Sequence, residues 1–403
     1  MKKVIVSTVL GVAVSAVAVM SLYKQDFDRI AFVGTLFSGA EQYENFNRVK
    51  ELIPVTTMTA AKAPFEFDNG DQISMPESFE YEGNSVPVAE FLDSTDTSAV
   101  LVIQEGKVRF ERYSLTGGRD VNWLSMSVAK SFIATAIGIA VDENLIDIQK
   151  TMTDYVPSLK GSAYDNVRIK DVLQMSSGAA WVEDYSNPES DVMRLGMIMA
   201  AGGSMDEFIA AMKPEKTPGT YNRYNSGDTQ ALGMLLTQAT GQSITEYVQE
   251  KIWTPLGMES DGYWMKDDRN MEMAFAGLNA TARDYAKLGE LYRLKGNWQG
   301  QQIVSAQWVH DSVTPDAPHV MPYTHEHSPL GYGYQWWVPA STEGEYSAIG
   351  VYNQFIYVNP VRDLVIVKLS ANSDYALEDN EKYYRELETI EFFREIGQKF
   401  DVS

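Results

Sequence analysis

The 403 residues carry 33 Lys+Arg against 55 Asp+Glu, a formal net charge of −22, with 44% hydrophobic and 11% aromatic residues. That composition supplies a large core and excludes global disorder, while the acidic surplus repels nucleic-acid phosphates and anionic membrane surfaces. With no Cys in the chain, disulfides, thiolate metal sites and thiol nucleophiles are excluded, and covalent catalysis falls to Ser, Thr, Lys or a carboxylate.

Lys2 and Lys3 precede an uncharged stretch rich in Val, Ala and Leu over residues 4–23. About 20 such residues suffice to cross a bilayer, and Ala16 and Ala18 offer a small-x-small cleavage site, so residues 1–23 are expected to be a signal peptide or a membrane anchor. Either way the Lys pair stays in the cytoplasm and the bulk is exported, to the periplasm or to an inner-membrane tether facing it. Residues 24–95 have no strong period and contain the turn pairs Asn69-Gly70 and Glu82-Gly83. They read as an extension wrapping a main domain over 96–403.

Ser98 to Gln104 and Lys107 to Leu115 are β-rich runs around Glu105-Gly106, a hairpin signal. Ser127 to Glu143 places Val128, Phe132, Ile133, Ala136, Ile137 and Ala140 at helical spacing, apolar nearly all round as in a central buried helix. Further helices are expected at Met205 to Met212, Thr229 to Thr240, Ile244 to Ile252, Ala282 to Leu294 and Ser305 to Ser312, within a helical region of about residues 140–325. Strand character returns over Gly333 to Val338, Glu345 to Ile349, Gln354 to Val358 and Asp363 to Leu369, and a helix near Glu378 to Gln398 closes the chain. Strands at both ends around a helical middle imply an α/β chain of the α+β type. One antiparallel sheet is built from both termini and flanked by helices, with a groove beside the helical insertion as the natural site.

The chemistry concentrates at Ser127-Val128-Ala129-Lys130. Three residues apart on a helix are neighbours on one face, so the Lys130 ammonium reaches the Ser127 hydroxyl. A helix N-terminus favours developing negative charge, and a desolvated Lys loses part of its preference for the charged form and becomes a base. Ser-x-x-Lys alone arises by chance roughly once or twice in such a chain, and Ser21-Leu22-Tyr23-Lys24 is one such match. The lead-in Trp123-Leu124-Ser125-Met126 before an apolar helix distinguishes Ser127.

The segment Ser125 to Phe132 resembles the nucleophile motif of the serine β-lactamase-like hydrolases, which include class C β-lactamases, penicillin-binding carboxypeptidases and family VIII esterases. Asp142 to Asp147, Ile169 to Gly178, Pro218-Gly219 with Tyr224-Asn225-Ser226, Ala282 to Tyr285, Trp298 to Trp308, Gly331 to Trp337 and Gly350 to Pro360 follow that family's order. The resemblance implies a β-lactamase/transpeptidase-like fold. It also implies Ser127 as acylated nucleophile, Lys130 as its proton partner, Tyr224 as general acid/base, and the amides of Ser127 and Val351 as the oxyanion hole. The third motif departs from Lys-Thr-Gly or His-x-Gly: it reads Ala348-Ile349-Gly350, which removes the cation that binds a β-lactam carboxylate. That departure resembles the 6-aminohexanoate-dimer hydrolase branch, in which a tyrosine in the place of Tyr185 contacts the substrate amide. Tyr185 and Gly350 are therefore expected to bind substrate.

The resemblance implies hydrolysis of amide or ester bonds of small linear substrates, with a family VIII carboxylesterase or a D-amino-acid peptidase as alternatives and a non-catalytic peptidoglycan-peptide binder as the rival from another class. No cofactor, metal or nucleic-acid partner is expected, and any membrane contact is a tether through residues 4–23. The four histidines, His310, His319, His325 and His327, lack the Gly-x-Ser-x-Gly elbow of a Ser-His-Asp hydrolase. His325-x-His327 without Cys support is read as solvated.

Overall fold

The computed structural model describes residues 28–37, 42–323 and 329–401. The apolar stretch read as an export segment and the His325-x-His327 pair lie outside the described residues.

The hairpin Thr97–Gln104 and Lys107–Tyr113 forms as expected, and its turn residues Glu105 and Gly106 both adopt positive φ, 53° and 73°. That left-handed pair matches the twist of the flanking strands. Thr97–Gln104 also pairs antiparallel with Leu364–Ser370, with Lys368 opposite Val100. The two ends of the chain thus meet in the middle of an eight-stranded sheet, which continues through Gln354–Asn359, Tyr346–Gly350, Trp337–Pro339 and Leu330–Tyr332 on one side. On the other side the extension adds Asp68–Asn69 as a parallel edge.

The central strands are buried along their whole length, because both faces are covered. Leu101, Ile103, Val365 and Val367 join the larger core, while Val100, Val102, Leu364 and Ile366 join a second one with Phe392 and Phe393. This is the period-two alternation of a strand, hidden because neither face meets water. Helix Ala282–Arg293 covers the first face, and Glu386–Gly397 with Val88–Ser94 the second.

A second antiparallel sheet, not anticipated from sequence, has the order Val55–Met58, Gly262–Met265, Leu278–Ala280, Trp123–Leu124. It adds to the expected sheet of both chain ends: the extension and the helical region each supply strands too short to show a period. Two expectations are corrected. Gly333 to Trp336 is a corner between two strands, with Gln335 at φ 61° and Tyr334 N bonded to Ser312 O, and only Trp337 and Val338 of the expected run are strand. The closing helix breaks into Glu381–Tyr384 and Glu386–Gly397 at Arg385, φ 54°, where Asn353 Nδ2 donates to the Tyr384 carbonyl.

The short strand Trp123–Leu124 hands the chain to the central helix. Ser125 N bonds Leu278 O, Met126 takes φ 47°, and a single 3-10 turn, Met126–Val128, leads into Ala129–Asp142. That helix is seated on Ser226–Thr240 and passes so close to Trp308 that a Cβ at Gly138 would lie 2.4 Å from its ring.

Candidate active site

Ser127 and Lys130 are 6% and 1% exposed, at the start of the central helix. Lys130 Nζ donates to Ser127 Oγ at 2.8 Å, to Ser226 Oγ at 3.0 Å and to the Phe275 carbonyl at 3.0 Å. Nζ also lies 5.1 Å from the ring centroid of Tyr224 and 5.4 Å from that of Phe275. Burial among these groups holds the Lys130 ammonium down at about 7, against the pull of the Glu183 charge. Near neutral pH a large share of Lys130 is therefore a free amine that can take a proton from Ser127.

Tyr224 stacks on Trp337, 5.1 Å between centroids, with Tyr332 against its edge. Burial and the Glu183 charge push its phenol well above its ordinary range, opposed by a hydrogen bond with Ser127. The Tyr224 phenol is thus neutral at any working pH. Asn225 caps helix Ser226–Thr240, its side chain accepting from Asp228 N, so Tyr224 and Ser226 flank a fixed helix start.

Glu183 was not singled out by sequence, and it organises this cluster. Its carboxylate accepts from Ser226 N at 2.9 Å, from Ser226 Oγ at 2.6 Å, from Tyr185 Oη and from Trp181 Nε1. Charge-assisted bonds of this kind are the strong ones. They bring Tyr185 to the site through Glu183, two residues before it. The Tyr185 phenol is raised well above its ordinary range by burial and by that carboxylate.

Gly350 ends a strand directly behind the nucleophile. A Cβ there would lie 2.6 Å from Ser125 O and 3.0 Å from Ser127 N. The contact holds this strand end against the Ser127 turn, and the next residue, Val351, lines the same cavities as Ser127. Ile349 and Val351 line the polar cavity at the site, and Gly350 between them packs against the Ser125–Ser127 backbone.

The hairpin then turns through Tyr352 and Asn353, φ 63° and 71°. Asn353 Oδ1 accepts from Lys368 Nζ at 2.5 Å and from Thr389 Oγ1 at 3.1 Å. Lys368 is fully buried, and its ammonium is lowered well below the usual lysine range by burial and by the Arg385 charge. The signal for it was present in sequence: a lone Lys inside the apolar run Leu364–Ser370 has no wet face to reach.

Two cavities meet at Ser127. One encloses about 850 Å³, its mouth included, and is walled by apolar side chains. The other, about 550 Å³ with its mouth, is lined by Glu183, Tyr224, Tyr384, Asp379 and Glu386 among others. Burial raises the Glu386 carboxyl to about 7, although Tyr375 donates to it at 2.6 Å. Among the described residues no group of three His, Asp or Glu side chains is arranged to hold a metal ion.

The sequence model of the Beta-lactamase family matches residues 88–390. The chain is 30% identical over 293 residues to the 6-aminohexanoate-dimer hydrolase of Paenarthrobacter ureafaciens, covering 70% of this chain and 74% of that protein. It is 23% identical over 168 residues to a beta-lactamase of Pseudomonas fluorescens, covering 40% of this chain and 44% of the relative. A solved Bacillus anthracis structure assigned as a 6-aminohexanoate-dimer hydrolase superposes with a TM-score of 0.82 at 25% identity, over 91% of this chain and 96% of that one. A family VIII carboxylesterase shares the fold, with a TM-score of 0.57 at 16% identity over 76% of this chain and 94% of its own. With its central sheet closed by both ends of the chain and a buried Ser-Lys pair at the head of its central helix, the chain belongs to the Beta-lactamase family and is a serine hydrolase of that fold.

Proposed function

We propose that the protein cleaves amide or ester bonds of small linear substrates through an acyl-enzyme on Ser127. The observation that carries this reading is the 2.8 Å bond from Lys130 Nζ to Ser127 Oγ, with a lysine that burial holds near about 7. Ser127 passes its proton to Lys130 as Oγ attacks the carbonyl carbon, and the oxyanion faces the Ser127 and Val351 amides. Collapse breaks the C–N or C–O bond. The leaving group takes the Tyr224 phenol proton, and the Lys130 ammonium restores it. Water then attacks the acyl ester, giving its proton to Lys130, and Ser127 departs with a proton returned along the same relay.

The similarity to 6-aminohexanoate-dimer hydrolase supports the linear-amide reading. Among the described residues lining the polar cavity there is no Lys or Arg, while Glu183, Asp379 and Glu386 are carboxyls. A substrate anion is repelled there, which disfavours β-lactams and peptides whose free carboxylate would enter that cavity. Mass spectrometry of protein mixed with a fluorophosphonate tests the reading: a single adduct on Ser127 is expected, and full hydrolytic activity in Ser127→Ala protein would overturn it. The Lys2-Lys3 pair before the apolar residues 4–23 supports an exported enzyme, periplasmic or tethered, which cell fractionation checks.

A further inference from the structure

Ser127 stands on the partition between the two cavities, and Tyr224 decides which half of a substrate each one takes. As proton donor to the departing group, Tyr224 must lie on the leaving-group side, and it lines the polar cavity and not the apolar one. The acyl half then extends the opposite way, into the apolar cavity, whose wall also contains Ser127 and Val351.

None of the described residues lining that cavity carries a charge. Its wall is rich in methionine: Met193, Met197 and Met199 come from helix Asp191–Ala201, and Met265 and Met273 from strand Gly262–Met265 and the segment after it. Unbranched thioethers adapt to apolar chains of different length. The extension closes the top, with Val33 and Leu36 from the helical residues 28–36, followed by Phe37.

We propose that this cavity is an acyl-chain pocket and that the substrates carry an uncharged, medium-length alkyl acyl group. The inference rests on the acyl-enzyme reading above and narrows it. An ammonium at the far end of the acyl chain would be desolvated against a wall with no carboxylate to pair with it, so the pocket discriminates against ω-amino acyl groups. Polar or cationic character belongs on the leaving group, beside Glu183, Asp379 and Glu386.

The test uses the full-length protein and one leaving group, in p-nitrophenyl acetate, hexanoate, octanoate and 6-aminohexanoate. From acetate to hexanoate kcat/KM should rise about threefold or more per methylene, and hexanoate should exceed 6-aminohexanoate by about tenfold or more. A Cβ at Gly196 meets nothing within 4 Å, and that residue lines the cavity. Gly196→Leu should therefore put its side chain into open space at the cavity wall and lower the octanoate-to-acetate ratio by about tenfold, with a melting temperature no lower than the wild type's as the check on folding, since Leu replaces Gly inside a helix. A flat or falling chain-length profile, equal or better turnover of the 6-aminohexanoyl ester, or an unchanged ratio in Gly196→Leu overturns the proposal. Acetate turnover that vanishes in Ser127→Ala while the profile stays flat sinks the acyl pocket alone; no turnover of any ester sinks the acyl-enzyme reading with it.

Discussion

Lys130 and Glu183 are joined through one hydroxyl: Ser226 Oγ accepts from Lys130 Nζ at 3.0 Å and donates to Glu183 Oε1 at 2.6 Å. The carboxylate therefore stabilises the ammonium without neutralising it by direct contact, and burial wins, leaving Lys130 at about 7. Acylation needs the free amine, so kcat/KM should rise with pH through a midpoint near 7 and show no alkaline limb until Tyr224 ionises, well above 10. Glu183→Gln removes the charge that raises Lys130, so the acid limb should move to lower pH even as the plateau falls. A limb that stays in place or moves up would contradict this linkage.

Lys130→Met should lower kcat/KM by about 10³-fold or more, since nucleophile and base act as a unit. Its stability should change in the other direction. The folded value of about 7 lies below the unfolded value of 10.5, so the unfolded chain binds more protons between those pH values and Lys130 costs stability at neutral pH. The variant should melt at or above the wild-type temperature at pH 7, by calorimetry, with the advantage shrinking toward pH 10.

Gly350→Ala places a methyl 2.6 Å from Ser125 O and 3.0 Å from Ser127 N. Neither backbone atom can give way without moving the nucleophile. A displacement of this size should cost about 10²-fold in kcat, read from acylation kinetics, with KM little changed.

Lys368 acts at one remove, by holding the Asn353 side chain within the turn that carries Val351. Lys368→Met keeps the volume and removes a charge buried without a carboxylate partner, so the protein should remain folded. We expect kcat to fall about tenfold with KM steady, and Asn353→Ala to fall further because it also releases the Tyr384 and Arg385 carbonyls. Equal losses in kcat and thermal stability would mean that the pair serves the fold alone.

Burial raises Glu381 from 4.5 to about 8 and Glu386 from 4.5 to about 7. Folded protein then binds more protons than unfolded protein between about pH 4.5 and 8. Stability from these two groups is full below 4.5 and is lost as pH rises through their folded values. Glu386→Gln should raise the melting temperature at pH 8 by about 2 °C or more and have little effect at pH 5.

Much of the site was legible because it is local. Ser127 and Lys130 face each other through helical spacing, and the hairpin at Glu105-Gly106 is written in its turn residues. Glu183 was not, since a Glu in the aperiodic segment Trp181 to Tyr185 becomes a ligand of Ser226 only through tertiary packing. The Met-rich helix Asp191–Ala201 also went unread, although Ser190 caps it and Met193 and Met197 stand one turn apart. The four-stranded sheet escaped for a different reason: strands as short as Trp123–Leu124 carry no period to detect.

The meeting of the chain's two ends in the centre of the sheet governs how the enzyme comes into being. Ser98 Oγ bonds the carbonyl of Leu369, 271 residues further along, so the middle of the sheet cannot close until almost the whole chain has been made. Such distant pairing is slow to form and leaves the earlier strand edge unprotected meanwhile. The turn at Val351 arrives with the same late strands, so a nascent chain that already contains Ser127 and Lys130 should lack hydrolytic activity. The enzyme should switch on only when the strands from Tyr346 onward dock, and a truncation before Leu364 should leave a chain that is both inactive and prone to aggregate.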